Sequence, residues 1–267
     1  MALVKDIAVT LRRLDYSETS QVLVMFTREH GQQRLIAKGI KRSTKTRTAV
    51  GIDLLELGRA VFSLRSGKED NLATLTEWRQ EDTFPHLRRD LARLYAAQYA
   101  AEVTAQLTEV HDPHPGLFDA LAAFMQGLAG AEALPMLNAY LWKMLTEVGL
   151  RPELTRCVGC GRDVRGDRVL YFSSRQGGAV CRDCEPAAVE KRRLRLDVPA
   201  ALLAEQGRGR LDHNRERPSL APAREIGVAA AAFDILDYHI TEIMARPPRL
   251  SSMLRAALPL LPKPRGG

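Results

Sequence analysis

The most informative part of the chain runs from residue 151 to residue 184 and reads RPELTRCVGCGRDVRGDRVLYFSSRQGGAVCRDC. It contains all four cysteines of the 267-residue chain, arranged as Cys157-x-x-Cys160 and Cys181-x-x-Cys184. A Cys-x-x-Cys turn presents two sulfurs on one side, and two facing turns complete the tetrahedral thiolate shell that Zn2+ accepts. The spacing therefore predicts one structural Zn2+ per chain, bound by these four cysteines.

Three other interpretations of the cysteines are weaker. Two disulfides need an oxidising compartment, and no signal in the sequence directs the chain to one. A redox-active site needs only one Cys-x-x-Cys pair, and unrelated free cysteines would not fall in two spaced pairs. Because cysteines fill all four positions around the ion, no position remains for water or substrate. We therefore expect the metal to hold structure and not to do chemistry.

Residues 1–80 are predicted to form an N-terminal OB-fold β-barrel. Apolar residues alternate around Val9 and Val24 and recur in short runs near Leu35 and Phe62, with glycines between the runs. About five short strands without a long helix are typical of a small closed barrel. An SH3-like barrel would give a similar pattern.

Leucine stripes at helical spacing predict helices on both sides of the cysteines. The fold class is therefore predicted to be α+β and multidomain, with a zinc module inserted into an α-helical domain. The predicted segments are the barrel at 1–80, the helical domain at 81–150 and 191–258, the zinc module at 151–190 and a flexible tail at 259–267. The helices expected after the cysteines are Asp197–Glu205, Ala221–Met244 and Ser251–Leu258.

The charge is unevenly distributed along the chain. The net charge is +7 and the pI is about 9.4, but residues 1–80 carry +5, residues 81–150 carry −5 and residues 151–267 carry +7. Basic outer segments favour a polyanionic partner, while an ordinary solvated surface is the alternative. No apolar run is long enough to span a membrane. We expect a cytoplasmic, nucleoid-associated protein without a membrane partner.

The strongest candidate for ligand contact is the basic stretch from Arg34 to Arg47. No acidic residue occurs between Glu29 and Asp53, and small hydroxyl residues suited to phosphate oxygens are interleaved. The residues predicted to bind nucleic acid are Arg34, Lys38, Lys41, Arg42, Lys45 and Arg47, with a solvated loop as the alternative. Secondary candidates are Arg88, Arg89, Arg192, Arg193 and Arg195, for which a plain helix-surface role is equally compatible.

No motif of an active site occurs. A phosphate-binding loop is excluded because Gly67-Lys68 is followed by Glu69, and the zinc-protease, nucleophile-elbow and deaminase signatures are missing. His239, on the long helix, is expected to be a hydrogen-bonded core histidine. The sequence therefore predicts a binding protein that does not hydrolyse ATP and is not an enzyme.

Several short stretches resemble the bacterial RecO family of recombination mediators and DNA repair proteins. They are Tyr16–Ser20, Thr27–Gly31, Ala37–Arg42, Tyr99–Glu102, Pro115–Phe118, Val148–Leu154 and Phe172–Ser173 ahead of Gly177-Gly178. The resemblance implies an OB-fold, a helical C-terminal domain and a zinc module. It also implies binding of single- and double-stranded DNA, annealing of complementary strands, and help in loading RecA on strands coated by the single-stranded-DNA-binding protein. The implied partners are RecR and the acidic C-terminal tail of the single-stranded-DNA-binding protein.

The sequence departs from the family pattern in residues 48–60, which match it loosely. A zinc-containing factor that binds RNA or specific transcription sites is the alternative function. A preference for one sequence that does not respond to salt would favour that alternative.

Overall fold

The computed structural model describes residues 2–42, 51–64, 72–206 and 222–258. The chain divides into two compact units, Met1–Ala129 and Gly130–Gly267. Two predicted DNA-binding residues, Lys45 and Arg47, and the predicted tail at 259–267 lie outside the described residues. The domain boundaries taken from the sequence remain predictions.

The first unit is built on a five-stranded closed barrel. Its strands are β1 (Ala2–Asp15), β2 (Gln21–Thr27), β3 (Gly31–Ala37), β4 (Leu57–Leu64) and β5 (Ala73–Asp82). The strand order is β1-β2-β3-β5-β4, and β3 pairs with β5 in parallel while the other pairs are antiparallel. A five-stranded Greek-key barrel of this kind is an OB-fold, so the predicted fold of this segment is confirmed.

The barrel interior explains why these segments form strands. Leu23, Met25, Leu35 and Phe62 are fully buried in one cluster, and each such side chain contributes about 1.5–3 kcal/mol by leaving water. Leu23 lies opposite Leu35 in the β2–β3 pairing, so both point inward. Trp78 of β5 packs against the same cluster. The alternate residues of β2 and β3 must therefore point outward.

Two helices cover one part of the barrel. Helix α1 (Leu91–Leu107) begins at Asp90, whose side chain accepts a hydrogen bond from the backbone N–H of Arg93, and α2 (Pro115–Gly127) follows. Phe118 of α2 packs against the outward-pointing Phe26 of β2, with ring centroids 6.0 Å apart. Arg28 donates two hydrogen bonds of 2.8 and 2.9 Å to the carboxylate of Asp119. These contacts bind α2 to the end of β2.

Gly31, where β3 begins, is required by this arrangement. Its φ is +66°, and a Cβ atom at this position would lie 2.1 Å from the backbone oxygen of Asp112. Both the backbone conformation and the close approach demand a residue without a side chain. Gly31 therefore allows the chain between α1 and α2 to pass directly over the β2–β3 turn.

The described residues of the second unit form four α-helices and a small sheet. The helices are α3 (Ala133–Glu147), α4 (Asp197–Gln206), α5 (Pro222–Met244) and α6 (Ser251–Ala257). The sheet has the order β7-β6-β8, formed by β6 (Leu170–Ser173), β7 (Gly178–Cys181) and β8 (Arg192–Leu194). Helix α3 packs on α4 and α5. The cysteine-containing segment thus lies between helices of one unit, as predicted.

Buried aromatic and polar contacts join the sheet to α5. Phe172 of β6 packs edge-on against His239, with ring centroids 5.6 Å apart. The Nε2–H of His239 donates to the carbonyl of Leu150 over 3.0 Å, and its Nδ1 accepts from the hydroxyl of Ser174 over 2.7 Å. His239 is the hydrogen-bonded core histidine that the sequence predicted. Within the described ranges, no helix combines the length and apolar character needed to cross a membrane.

Candidate metal centre and nucleic-acid interface

The structure brings the four predicted metal ligands together. The sulfur atoms of Cys157, Cys160, Cys181 and Cys184 all lie within 4.8 Å of one another. The Cys160 and Cys181 sulfurs are 3.9 Å apart, close to the spacing of about 3.8 Å expected between thiolates around a tetrahedral Zn2+. The predicted site is therefore confirmed as a set of four cysteines positioned to bind a metal ion.

Local backbone geometry shapes this site. A Cβ atom on Gly159 would approach the Cys184 sulfur to 3.1 Å, and Gly161 has a φ of +77°. The N–H of Gly161 donates to the carbonyl of Cys157 over 2.8 Å and closes the first turn. The two glycines therefore let the first Cys-x-x-Cys turn fold tightly against the second cysteine pair.

The pKa values of the close sulfur atoms favour a cation bound between them. Burial opposes ionisation of Cys157, but backbone N–H groups, including that of Cys181 at 3.3 Å, lower the pKa of this thiol to about 6. The thiol of Cys184 shares its proton with the sulfurs of Cys181 and Cys160, and this raises its pKa to about 12. Four close thiolates repel one another unless a metal ion lies between them.

Arg162 supports the sulfur cluster from outside. Its guanidinium binds both carboxylate oxygens of Asp167 at 2.8 and 2.6 Å. It also hydrogen-bonds the Cys181 sulfur, and both partners raise the pKa of Arg162. Burial raises the pKa of the Cys181 thiol, but hydrogen bonds from the backbone N–H of Cys184 and from Arg162 outweigh burial and lower this pKa. A side chain of this kind orients a ligand and stabilises its charged form.

A second candidate site is the outer surface of the barrel. In the strand register, Arg12, Val24 and Arg34 lie opposite one another across β1, β2 and β3. Leu14, Val22 and Ile36 form the next row toward the β1–β2 turn. Opposed residues of neighbouring strands point to the same side of a sheet. We call these six residues the open face: Arg12, Leu14, Val22, Val24, Arg34 and Ile36.

A β-bulge places Arg12 on this face. Ala8 and Thr10 are buried on the inner side of β1, so strict alternation would point residue 12 inward. The β1–β2 register shifts between Thr10 and Arg12, and the extra residue, Leu11, reverses the side on which the following side chains lie. Arg12 is therefore opposite Val24 and exposed.

The open face begins where the helical cover of the barrel ends. A groove of about 470 Å³ separates Arg12 and Arg34 from Gln106 and Glu109 at the end of α1. At the other side of the face, Leu14 and Tyr16 are each 66% exposed. The surface thus combines cations with exposed aliphatic and aromatic groups, which is the composition that single-stranded nucleic acid requires.

The predicted DNA-binding residues of the barrel differ in their exposure. Arg34 is exposed on the open face, and Lys38 and Arg42 are exposed just after β3. Lys41 is half-buried and its Nζ lies 3.1 Å from a carboxylate oxygen of Asp15. Together with a hydrogen bond from Gln21, this contact lowers the pKa of the Asp15 carboxyl. The described part of the stretch therefore carries exposed cations next to the open face.

The secondary candidates are mostly engaged in internal contacts. Arg88 lies in a 3-10 turn before α1, donates to the Thr83 carbonyl at 2.6 Å and pairs with Asp53 at 2.9 Å. Arg89 of the same turn is exposed.

The three candidates after the cysteines divide in the same way. Arg192 stacks over the ring of Tyr238 at 3.7 Å, and Arg195 pairs with Asp197 at 2.7 Å. Arg195 also donates to the Gly227 carbonyl. Arg193 is exposed and forms no ion pair with any described residue. Arg193 is therefore the member of this group that remains available for a ligand.

Sequence reasoning missed Arg12 and Leu14 as parts of this candidate surface. The one available signal was the Arg12-Arg13 pair between the apolar residues Leu11 and Leu14. Arg13 lies opposite Leu23 and pairs with Asp53 at 3.2 Å, so only one of the two arginines joins the open face. A pattern of alternation cannot show a bulge, and this is why the signal did not separate them.

Comparison with known proteins gives a consistent result. The family model "Recombination protein O N terminal" matches residues 1–84, and "Recombination protein O C terminal" matches residues 88–212. DNA repair protein RecO of Anaeromyxobacter dehalogenans (strain 2CP-C) is 35% identical over 244 residues, covering 91% of this chain and 93% of the relative. DNA repair protein RecO of Pelotomaculum thermopropionicum is 34% identical over 206 residues, covering 76% and 78%.

Proposed function

The chain belongs to the RecO family of DNA repair proteins, and from this membership we propose that it binds DNA and anneals complementary strands without nucleotide hydrolysis. The observation that carries the proposal is the open face, where Arg12 and Arg34 lie in the strand register beside a partly exposed aliphatic row. The surface combines positive charge for phosphates with apolar groups for bases.

The open face fits one nucleic-acid strand lying across β1, β2 and β3. Arg34, Lys38 and Arg42 neutralise phosphates, while bases contact Leu14 and stack on Tyr16. The predicted residues Lys41, Lys45 and Arg47 extend the same basic stretch. If six cations meet phosphates of one strand, the logarithm of affinity falls against the logarithm of salt concentration with a slope of about −4.

Annealing follows from charge neutralisation. Two complementary strands repel through their phosphates, and a basic surface that holds both lowers this repulsion so that base pairing supplies the free energy. No bond is made or broken by the protein in this mechanism. Binding of double-stranded DNA at the same cations completes the reaction, and the chain is a binding protein and not an enzyme.

The proposed partners are those of a recombination mediator. We propose that the chain docks on the acidic C-terminal tail of the single-stranded-DNA-binding protein and is then joined by RecR. RecA loads on the strand that these contacts expose, so its connection to this chain is indirect. The basic charge of the chain, +7 in total, supports association with nucleic acid and with an acidic tail. Such work places the protein at the nucleoid.

We also propose that the metal is one Zn2+ per chain with a structural role. Four thiolates without a histidine, carboxylate or open position suit Zn2+ better than harder cations. The Cys157→Ser/Cys160→Ser variant should purify without zinc and lose the ordered cysteine segment, because such sites contribute about 10–16 kcal/mol in zinc-finger peptides. Metal analysis of the unmodified chain and of this variant measures the difference in bound zinc. Another metal at one equivalent would contradict the zinc assignment.

Strand annealing tests the proposed function directly. Two complementary oligonucleotides, one carrying a fluorophore and the other a quencher, are mixed with the full chain without ATP, with and without the single-stranded-DNA-binding protein. We expect acceleration that weakens as salt rises, and that persists on coated strands. No acceleration at low salt would overturn the proposal, and a salt-insensitive preference for one sequence would favour a sequence-specific transcription or RNA-binding factor instead.

A further inference from the structure

The segment that carries the cysteines is strongly basic. Residues 151–195, which we call the cysteine module, contain 11 Arg and Lys against 6 Asp and Glu. Its own ion pairs use part of this charge: Arg162 binds Asp167, Arg165 binds Asp163 and Lys191 binds Glu185. Four thiolates around a divalent ion offset a further part. A positive surplus remains after both corrections.

The surplus lies on exposed arginines. Five of them form neither an ion pair nor a stacking contact with an aromatic ring among the described residues. They are Arg156, Arg168, Arg175, Arg182 and Arg193. Exposed arginines without acidic partners are available to a polyanion at little cost to the fold.

The sheet places one of these arginines beside an aromatic ring. Tyr171 of β6 lies directly opposite Arg193 of β8. Their neighbour Phe172 points to the other side, where it packs against Tyr238 and His239 of α5. Because successive residues of a strand alternate sides, Tyr171 and Arg193 share the side of the sheet that faces away from α5.

Two further arginines lie at one end of the same sheet. Leu170 is opposite both Cys181 and Leu194, so the beginning of β6 lies beside the ends of β7 and β8. Arg168 precedes β6 by two residues, and Arg182 directly follows β7. The sheet therefore carries Tyr171 and Arg193 on one side and Arg168 and Arg182 at the adjacent end.

We propose that this surface, composed of Tyr171, Arg193, Arg168 and Arg182, is a second nucleic-acid site that binds a single strand independently of the barrel. A partly exposed tyrosine ring stacks on a base, and the flanking guanidinium groups neutralise the adjacent phosphates. An acidic peptide would use the arginines alone, because its carboxylates gain nothing from a stacking platform. The tyrosine–arginine pair therefore favours nucleic acid as the ligand.

A second site gives the annealing reaction a physical basis. One strand held on the open face and another on the cysteine module are both neutralised by the same molecule. This use of the site rests on the proposed annealing function, whereas the binding of nucleic acid to the module does not. The experiment below tests the binding alone.

The test uses photocrosslinking of the full chain. A thymidine oligonucleotide of about 12 nucleotides, with 5-iodouracil in place of some thymines, spans one site of this kind. Irradiation joins the modified base to a stacked aromatic side chain, and peptide mass spectrometry maps the adduct. We expect an adduct at Tyr171 in the unmodified chain. The Tyr171→Phe variant should still form an adduct at position 171, because phenylalanine also stacks on a base. The Arg168→Ala/Arg182→Ala/Arg193→Ala variant should form at least about tenfold less adduct.

Controls separate this proposal from that for the barrel. The Lys38→Ala/Arg42→Ala variant should leave the Tyr171 adduct within about twofold, since the module binds by its own cations. One equivalent of metal in the triple variant shows that the cysteine module is intact, and Arg193→Ala alone replaces it if metal is lost. No adduct at Tyr171, or an adduct unchanged by these substitutions, overturns the second site whatever the barrel binds. Equal displacement of the oligonucleotide by polyglutamate of the same charge would also overturn it and assign the surface to acidic peptides.

Discussion

Removing Lys38 and Arg42 together should change the salt dependence of DNA binding in a calculable way. Both side chains are exposed, and neither forms an ion pair with a described residue, so their loss should not disturb the fold. Six phosphate contacts on a single strand predict a slope of about −4.2 for the logarithm of affinity against that of salt. Four contacts predict about −2.8.

The expected difference is large enough to measure. Between 50 and 200 mM salt, six contacts lower affinity by about 340-fold, whereas four lower it by about 50-fold. Fluorescence anisotropy of a labelled thymidine oligonucleotide across that range gives both slopes. The Lys38→Ala/Arg42→Ala variant should bind more weakly at the lowest salt concentration and approach the unmodified chain as salt rises.

A matched variant controls for the loss of total charge. Arg59 and Lys143 are 70% and 48% exposed and pair with Glu81 and Glu147. Arg59→Ala/Lys143→Ala removes the same two charges away from the basic stretch, and its slope should stay near −4.2. An unchanged slope in the Lys38 and Arg42 variant, or an equal change in the control, would refute contact between this stretch and phosphates.

Three further outcomes follow from individual contacts. Arg162→Ala should weaken metal affinity by about 10–100-fold, because it removes a hydrogen bond to a ligand sulfur. Titration against a chelator of known affinity measures this change. An unchanged affinity would show that the contact does not act on the metal. Gly31→Ala should lower the free energy of unfolding by at least about 2 kcal/mol in chemical denaturation, since φ is +66° and the new Cβ would meet the backbone of Asp112; a stable variant would contradict that geometry. Burial lowers the pKa of His239 below 6.5, so below that pH the folded chain binds fewer protons than the unfolded chain. The free energy of unfolding should therefore fall as the pH drops from about 6.5 toward the folded pKa, by up to about 1.4 kcal/mol per pH unit. His239→Gln keeps partners for Ser174 and should lose this component; parallel stability curves for the two proteins would show that His239 does not titrate on unfolding.

The cysteine site and the helices were predictable because their signals are local. Each Cys-x-x-Cys turn is recognisable from four consecutive residues, and glycines indicate the tight first turn. The leucine stripes around Leu94, Leu121 and Leu141 span several helical turns, and helices α1, α2 and α3 were found where they indicated. Strand β5 was not assigned to specific residues, since beyond Leu75 its residues are largely exposed and do not alternate with apolar ones.

The candidate binding surfaces depended on contacts between distant residues. The sequence showed which residues are basic, but not which of them the fold would use internally. Arg88 meets Asp53, and Arg192 meets Tyr238, across 35 and 46 positions of the chain. Arg193, next to Arg192, does not stack on Tyr238, because it lies on the opposite side of β8. No composition or spacing rule distinguishes such neighbours.

The amino-acid sequence alone determined a barrel, a helical body, a four-cysteine metal site and a surplus of positive charge. Each of these depends on patterns among residues that lie close together in the sequence. Only the tertiary structure decided which charges stay exposed and on which side of a sheet they lie. The bulge at Leu11 turns Arg12 outward, and the pairing of β6 with β8 sets Tyr171 beside Arg193. The physical reason is that strand register fixes the side on which every side chain lies, and register is set by hydrogen bonds between segments far apart in the chain.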